Sequence, residues 1–94
     1  MRPIHPGEIL REEYLKPLGM SVNSLAKALN VTPARINEIV RERRGVTADT
    51  ALRLARYFGT DARSWVNLQA AYDLRVAEIS QAKQIASTVR PRAA

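Results

Sequence analysis

The side chains of this sequence best suited to recognising another molecule lie between positions 34 and 41. Ala34, Arg35, Asn37, Glu38 and Arg41 occur within eight residues of one another. Asn can pair bidentately with adenine and Arg with guanine, Glu can accept a hydrogen bond from cytosine, and Ala can contact a thymine methyl. In a helix that buries the apolar residues between them, Ala34, Glu38 and Arg41 point outward while Arg35 and Asn37 lie on the flanks. This spacing predicts a helix that reads base edges in the major groove of DNA.

Groups suited to phosphate surround this segment. Ser21 and Thr32 are predicted N-caps of two successive helices, where hydroxyls and free backbone N–H groups favour phosphate. The second of these helices is expected to end near Arg43, before Gly45, and Arg43 and Arg44 at this end can reach a nucleic-acid backbone.

Residues 24–40 have the pattern of two helices joined by a tight turn. Ala26 is small where the second helix comes close, Asn30 tolerates the positive φ of the turn, and Pro33 suits the first position of the next helix. The pattern predicts a helix-turn-helix unit, and a helical bundle with a merely solvated polar face is the alternative. The residues predicted to face the interior are Leu25, Leu29, Val31, Ile36, Ile39 and Val40.

The rest of the chain predicts an all-α fold of five helices with a phage-repressor-like arrangement. Apolar residues recur at spacings of three and four, and no segment alternates as a half-buried strand does. An extended arm that exposes His5 precedes a first helix, which Pro17 and Gly19 end. Thr47 caps a fourth helix that stops at Gly59, and Asp61 caps the fifth. We expect residues 1–60 to form the DNA-binding domain with its arm, and residues 61–94 a long C-terminal helix continuous with it.

The composition of the chain limits the kinds of partner it is expected to bind and excludes several classes of function. Fifteen Lys and Arg, twelve of them Arg, oppose nine Asp and Glu, for a net charge of +6. Half of this excess lies in residues 32–63, which favours DNA over a membrane surface. There is no Cys, and no hydrophobic run exceeds three residues, so a cytoplasmic protein without metal or cofactor is expected. His5 is the only His, and Glu12 and Glu13 diverge on a helix, so an enzyme is not expected.

Residues 24–58 resemble the XRE, or phage-repressor, type of helix-turn-helix domain. The resemblance rests on Leu25-Ala26, Val31-Thr32, Ile36-Asn37 and Ala51-Leu52-Arg53-Leu54-Ala55. The stretches His5-Pro6-Gly7-Glu8-Ile9-Leu10 and Trp65-Val66-Asn67-Leu68-Gln69-Ala70-Ala71-Tyr72-Asp73-Leu74 are similar to the HigA/VapI subgroup, whose members are antitoxins of type II toxin–antitoxin modules.

The resemblance implies two roles. A HigA-like antitoxin neutralises a HigB toxin, which is a small ribosome-dependent mRNA endonuclease, and represses its own operon by binding the operator as a dimer. A stand-alone XRE-family regulator without a toxin is the alternative. The family's DNA contacts fall here on Ser21, Thr32, Ala34, Arg35, Asn37, Glu38 and Arg41. Glu38 replaces a neutral amide and repels phosphate, so we expect it to orient Arg41 or Arg35 instead.

The predicted fifth helix is longer than the other four can cover. Trp65, Leu68 and Tyr72 are expected in the core, whereas Val76, Ile79 and Ile85 are expected to pair with a second copy. A dimer sets its two reading helices one DNA turn apart, about 34 Å, which matches an inverted-repeat operator.

Overall fold

The computed structural model describes residues 2–93 and contains five helices. The first, α1, joins three consecutive segments, Pro6–Ile9, Leu10–Leu15 and Lys16–Leu18. The others are α2 (Val22–Leu29), α3 (Pro33–Val40), α4 (Ala48–Phe58) and α5 (Ala62–Thr88). No strand occurs within residues 2–93. The prediction of an all-α fold with five helices is confirmed.

Local capping explains where the helices begin and end. Ser21, Thr32 and Thr47 each accept a hydrogen bond from the backbone N–H three residues later, at 3.0, 3.2 and 3.3 Å. Asp61 accepts from Arg63 N–H at 3.1 Å. These bonds satisfy N–H groups that have no partner within the helix. The predicted left-handed turn at Asn30 is also present, with φ of 57°.

The first helix differs from the prediction, because Pro17 does not end it. Residues Leu10–Leu15 form a π-helix, and the N–H of Lys16 donates to the carbonyl of Arg11, five residues earlier. Proline has no N–H to donate, and in an α-helix its ring meets the carbonyl four residues before it. Just before Pro17 the hydrogen bonds change from the carbonyl four residues earlier to the carbonyl five residues earlier, and this change relieves both conflicts. The helix therefore continues to Leu18 and stops at Gly19, whose φ is 61°.

The core lies between α3 and the helices packed around it. Its completely buried large side chains come from four helices: Leu10, Leu25, Ile36, Ile39 and Leu54. Trp65 of α5 is 2% exposed and closes the core from the other side. Tyr14 links three helices, since its ring lies 4.7 Å from that of Phe58 and 5.4 Å from that of Trp65. The prediction that Trp65 belongs to the core is confirmed.

The second half of α5 projects away from this core. The molecule measures 53 × 22 × 22 Å because the 27-residue helix extends beyond the other four. Val76, Ile79 and Ile85 are 37%, 61% and 49% exposed, whereas Leu68 packs against the core. No helix within residues 2–93 combines the length and apolar character needed to span a bilayer.

The expectation that His5 is exposed is wrong. His5 is 2% exposed and caps α1, where its Nδ1 accepts a hydrogen bond from Gly7 N–H at 2.8 Å. Its ring meets that of Tyr72 edge-on, with centroids 4.7 Å apart. Burial lowers the pKa of His5, against the opposing effect of the carboxylates of Glu42 and Asp73. The neutral ring needed for the cap is therefore the favoured form.

This pKa shift predicts a pH-dependent stability. The unfolded chain binds a proton at His5 below pH 6.5, the ordinary value, while the folded chain resists it. We expect the free energy of unfolding to fall as the pH drops from about 7.5 to about 5.5, a range above the ordinary pKa of Asp and Glu. His5→Asn keeps an oxygen for the N-cap but does not titrate, so its stability should be flatter across this range. Chemical denaturation of both proteins measures the difference, and parallel curves would contradict the assignment.

Candidate DNA-binding surface

The outward face of α3 carries the residues predicted to contact DNA. Burial of Ile36, Ile39 and Val40 fixes the rotation of the helix, as predicted, and leaves its opposite face in solvent. The nine predicted DNA-contact residues all reach the surface. Arg35 and Glu38 are half-buried, and the exposed ones are Ser21, Thr32, Ala34, Asn37, Arg41, Arg43 and Arg44.

The first turns of α2 and α3 meet at this surface. A shallow hollow between them is lined by Val22, Asn23, Pro33, Ala34 and Asn37. Ser21 and Thr32 are the N-caps of these two helices, so the free N–H groups of both first turns lie near the same hollow. Backbone donors and the positive ends of two helix dipoles favour an anionic partner here. Asn23 was not predicted as a contact, because its type alone does not distinguish it from an ordinary polar residue of a first turn.

Arg35 is held by a neighbour on α4. Its Nη1 lies 3.0 Å from Oδ2 of Asp49, and the same oxygen accepts from Nε of Arg53 at 2.8 Å. Arg53 also donates to the carbonyl of Leu29 at the end of α2, at 2.9 Å. These hydrogen bonds, that of Arg53 first, lower the pKa of Asp49, so the carboxylate stays ionised. Arg35 thus joins α3 to α4, a role that its position in the sequence did not indicate.

Glu38 pairs with a residue other than those predicted. Its carboxylate lies 3.1 Å from Nη2 of Arg44, and not beside Arg41 or Arg35. The physical reason is the turn after α3, in which the N–H of Arg43 donates to the carbonyl of Glu38 and so brings the next residue, Arg44, close to the carboxylate of Glu38. The ion pair offsets the negative charge of Glu38, which would otherwise repel phosphate.

Asn37 and Arg41 differ from these neighbours. Neither side chain has a hydrogen bond or ion pair with any other residue in the described range 2–93. Both are exposed, and Arg41, the residue directly after α3, follows Asn37 by about one helical turn, so the two lie on the same side of the molecule. Their donors and acceptors are available to an external partner.

The end of α3 also departs from the prediction. The helix was expected to reach about Arg43, but it stops at Val40. Glu42 adopts the left-handed conformation with φ of 62°, its N–H donates to Ile39 O at 2.9 Å, and the N–H of Arg43 donates to Glu38 O at 2.8 Å. This pair of bonds is the Schellman pattern, which usually places Gly at the left-handed position. The only nearby glycine, Gly45, led the prediction to place the end of the helix too late.

The loop after α3 is held by α5. Oε1 of Gln69 accepts from the N–H of Val46 at 2.8 Å, and its Nε2 donates to Asp73 at 2.9 Å. Gly45 faces the same amide, which would lie 3.0 to 3.2 Å from an added Cβ. Twenty-three residues separate Gln69 from Val46, so no local signal in the sequence predicted this support.

Comparison with known proteins agrees with this geometry. Residues 12–65 match the family model HTH_3, described as helix-turn-helix. The chain is 68% identical over 91 residues to Virulence-associated protein I of Dichelobacter nodosus, covering 97% of this chain and 82% of that protein.

Solved structures show the same fold along nearly the whole chain. The antitoxin HigA of Pseudomonas aeruginosa, solved with the higBA promoter, matches with a TM-score of 0.94 at 50% identity, over 98% of this chain and 100% of that one. The antitoxin GraA in complex with its operator matches with a TM-score of 0.94 at 51% identity, over 100% and 95%. This chain belongs to the helix-turn-helix family, in the HigA and VapI group of its XRE type.

Proposed function

We propose that this chain is an antitoxin that represses its own operon by binding operator DNA as a dimer and that neutralises a HigB-like mRNA-endonuclease toxin. The DNA-binding part of this proposal rests on one observation about Asn37 and Arg41. Their side chains are exposed on the outer side of α3 and at its end, and they have no hydrogen bond or ion pair within residues 2–93. The operator complexes of HigA and GraA, about half identical to this chain, support the same use of the fold.

In this proposal α3 enters the major groove. Asn37 and Arg41 hydrogen-bond to base edges and Ala34 contacts a thymine methyl. Arg35 and Glu38 act on the protein side, since Asp49 and Arg44 hold them. The residues proposed for phosphate are Ser21, Thr32, Arg43 and Arg44.

The proposed dimer uses the projecting half of α5. At about 100° per residue, Val76 and Ile79 lie about 60° apart around the helix. Ile85 lies about 180° from Val76 and about 120° from Ile79, because α5 continues without a break to Thr88. One partner helix cannot cover all three residues. We therefore assign the dimer contact to Val76 and Ile79 and remove Ile85 from it.

The proposal that this chain neutralises a toxin rests on its family. HigA and GraA are named antitoxins, and Antitoxin HigA-1 of Vibrio cholerae is 36% identical to this chain over 74 residues. The dimer leaves open the exposed apolar side chains of Leu74 and Ile85 on α5 and of Val89 just after it, and these supply surface that a second protein can cover.

Replacement of the base-reading side chains tests DNA binding. Asn37→Ala or Arg41→Ala should weaken operator binding by about 1–3 kcal/mol, chiefly through one base position, since each removes a bidentate contact. Titration of labelled operator and of operators with single base changes measures this. Asn67→Ala, the same change on exposed α5, should bind like the wild type. Equal loss on every DNA sequence would show that the two residues touch only phosphate.

A charge on α5 tests the dimer. Ile79→Asp should give monomers, because an ionised carboxylate would have to leave water in the interface. The matched change Ile85→Asp lies on the other side of the helix and should remain dimeric. Sedimentation velocity separates the species. An unchanged dimer for Ile79→Asp would rule out pairing at this position.

Co-expression with the product of the adjacent gene tests the antitoxin role. We expect the two proteins to co-purify as one complex and the chain to relieve growth arrest caused by that product. The variant Asn37→Ala should still relieve the growth arrest but bind the operator more weakly, because the substitution alters only the surface of α3. If neither complex nor protection occurs while operator binding persists, the chain is a stand-alone regulator.

A further inference from the structure

The turn that ends α3 requires an unfavourable backbone at Glu42. Three other helices end in left-handed residues of suitable type, namely Gly19, Asn30 and Gly59. Glu42 takes the same conformation, with φ of 62°, although its Cβ disfavours it. Other contacts must hold this turn in place.

Arg11 of α1 supplies those contacts. Its Nη1 donates to the carbonyl of Val40, in the last turn of α3, and its Nη2 lies 3.6 Å from the carboxylate of Glu42. Its Nε donates to Glu12 at 2.8 Å, which fixes the guanidinium on its own helix. A cation beside the last carbonyls of a helix is favourable on electrostatic grounds. One side chain therefore bridges the end of α3 and its left-handed residue.

The position of Arg11 is fixed by the close contact between α1 and α3. The backbone of Gly7, one turn earlier in α1, lies so close to α3 that an added Cβ would be 1.8 Å from the carbonyl oxygen of Ile39. His5 accepts the N–H of Gly7 and rests against Tyr72 of α5. Because α1 abuts the backbone of α3 directly, the guanidinium of Arg11 keeps a constant position relative to the turn.

The two residues beside Glu42 are Arg41 and Arg43. Both side chains are exposed and have no hydrogen bond or ion pair within residues 2–93, so the backbone of the turn sets where they point. We infer that Arg11 is a positioning residue for operator binding: it holds the left-handed turn at Glu42 and so directs Arg41 and Arg43 towards DNA. This inference rests on the proposed function and adds a residue that does not itself touch DNA.

Four variants separate positioning from other roles. Arg11→Met removes the bridge, Glu42→Gly lets the turn form without it, and the double variant combines the two. Arg2→Met is the charge-matched control, since Arg2 also pairs with a glutamate of α1, Glu8, at 2.7 Å. If Arg11→Met does not fold, Arg11→Lys takes its place, because one ammonium cannot span both acceptors as the guanidinium does.

The first readout is operator affinity well below the unfolding temperature, where every variant is fully folded. We expect Arg11→Met to bind about tenfold more weakly, the size of one lost base contact. Arg2→Met should stay within about twofold, the effect of one screened surface charge that makes no hydrogen bond to the turn. The operator affinity of the double variant should recover to within about threefold of that of Glu42→Gly. Both of these variants lack the charge of Glu42, so its loss cancels in the comparison. A role in stability alone would leave all these affinities unchanged.

The second readout needs no DNA. Hydrogen exchange at the amides of Glu42 and Arg43 should accelerate in Arg11→Met and slow again in the double variant, since these N–H groups close the turn. Full operator affinity in Arg11→Met, or no recovery in the double variant, overturns the inference. Failure of the wild type to bind its operator would instead contradict the proposed function.

Discussion

The contact between α1 and the end of α3 is the constraint on which the proposed DNA-binding surface depends. At Gly7 the two backbones approach so closely that no side chain fits between them, and Ile36 and Ile39 are completely buried beside this contact. A helix held at its inner face and at its end has a single rotation and a single depth. The outward direction of Asn37 follows from this, because its position relative to the buried residues is set by helical geometry.

Acidic side chains around this surface each hold an arginine in place. Asp49, Glu38 and Glu42 each pair with an arginine of a different segment, at 3.0, 3.1 and 3.6 Å. Each pair is exposed or half-exposed and stabilises the fold only modestly. The pairs that involve Asp49 and Glu38 offset negative charge next to the predicted phosphate contacts. Asp49 and Glu42 hold Arg35 and Arg11 within the protein, whereas the side chains of Arg41 and Arg43 remain available to a partner.

The long α5 has two separate roles in the molecule. Its first half closes the core with Trp65 and supports the loop after α3 through Gln69. Its second half is exposed on several sides and projects from the body. A helix apolar on one side only would suit one partner. Exposed Ile79 and Ile85 on different sides leave surface for a second copy and for another protein.

Most of the fold followed from local signals in the sequence. Ser21, Thr32, Thr47 and Asp61 as caps, and Asn30 and Gly59 as turns, marked the helices because capping involves residues two to four positions apart. Apolar spacing likewise identified the inner face of α3, and the resemblance of the flanking motifs identified the family. The π-helix before Pro17 and the early end of α3 were not predicted, because the sequence there contained a proline within a helix and a glutamate where glycine is usual.

Only the tertiary structure decided which of the polar side chains are available to a partner and which are held by other residues of the chain. The sequence by itself determined five helices, a helix-turn-helix unit and the set of side chains on its outer face, since all of these depend on neighbours along the chain. It did not determine that Asp49 holds Arg35, that Arg44 pairs with Glu38, that His5 is buried against Tyr72 or that Arg11 braces the end of α3. Those contacts join residues 6 to 67 positions apart. Ion pairs and ring contacts act through space, and their partners are known only once packing has brought the helices together.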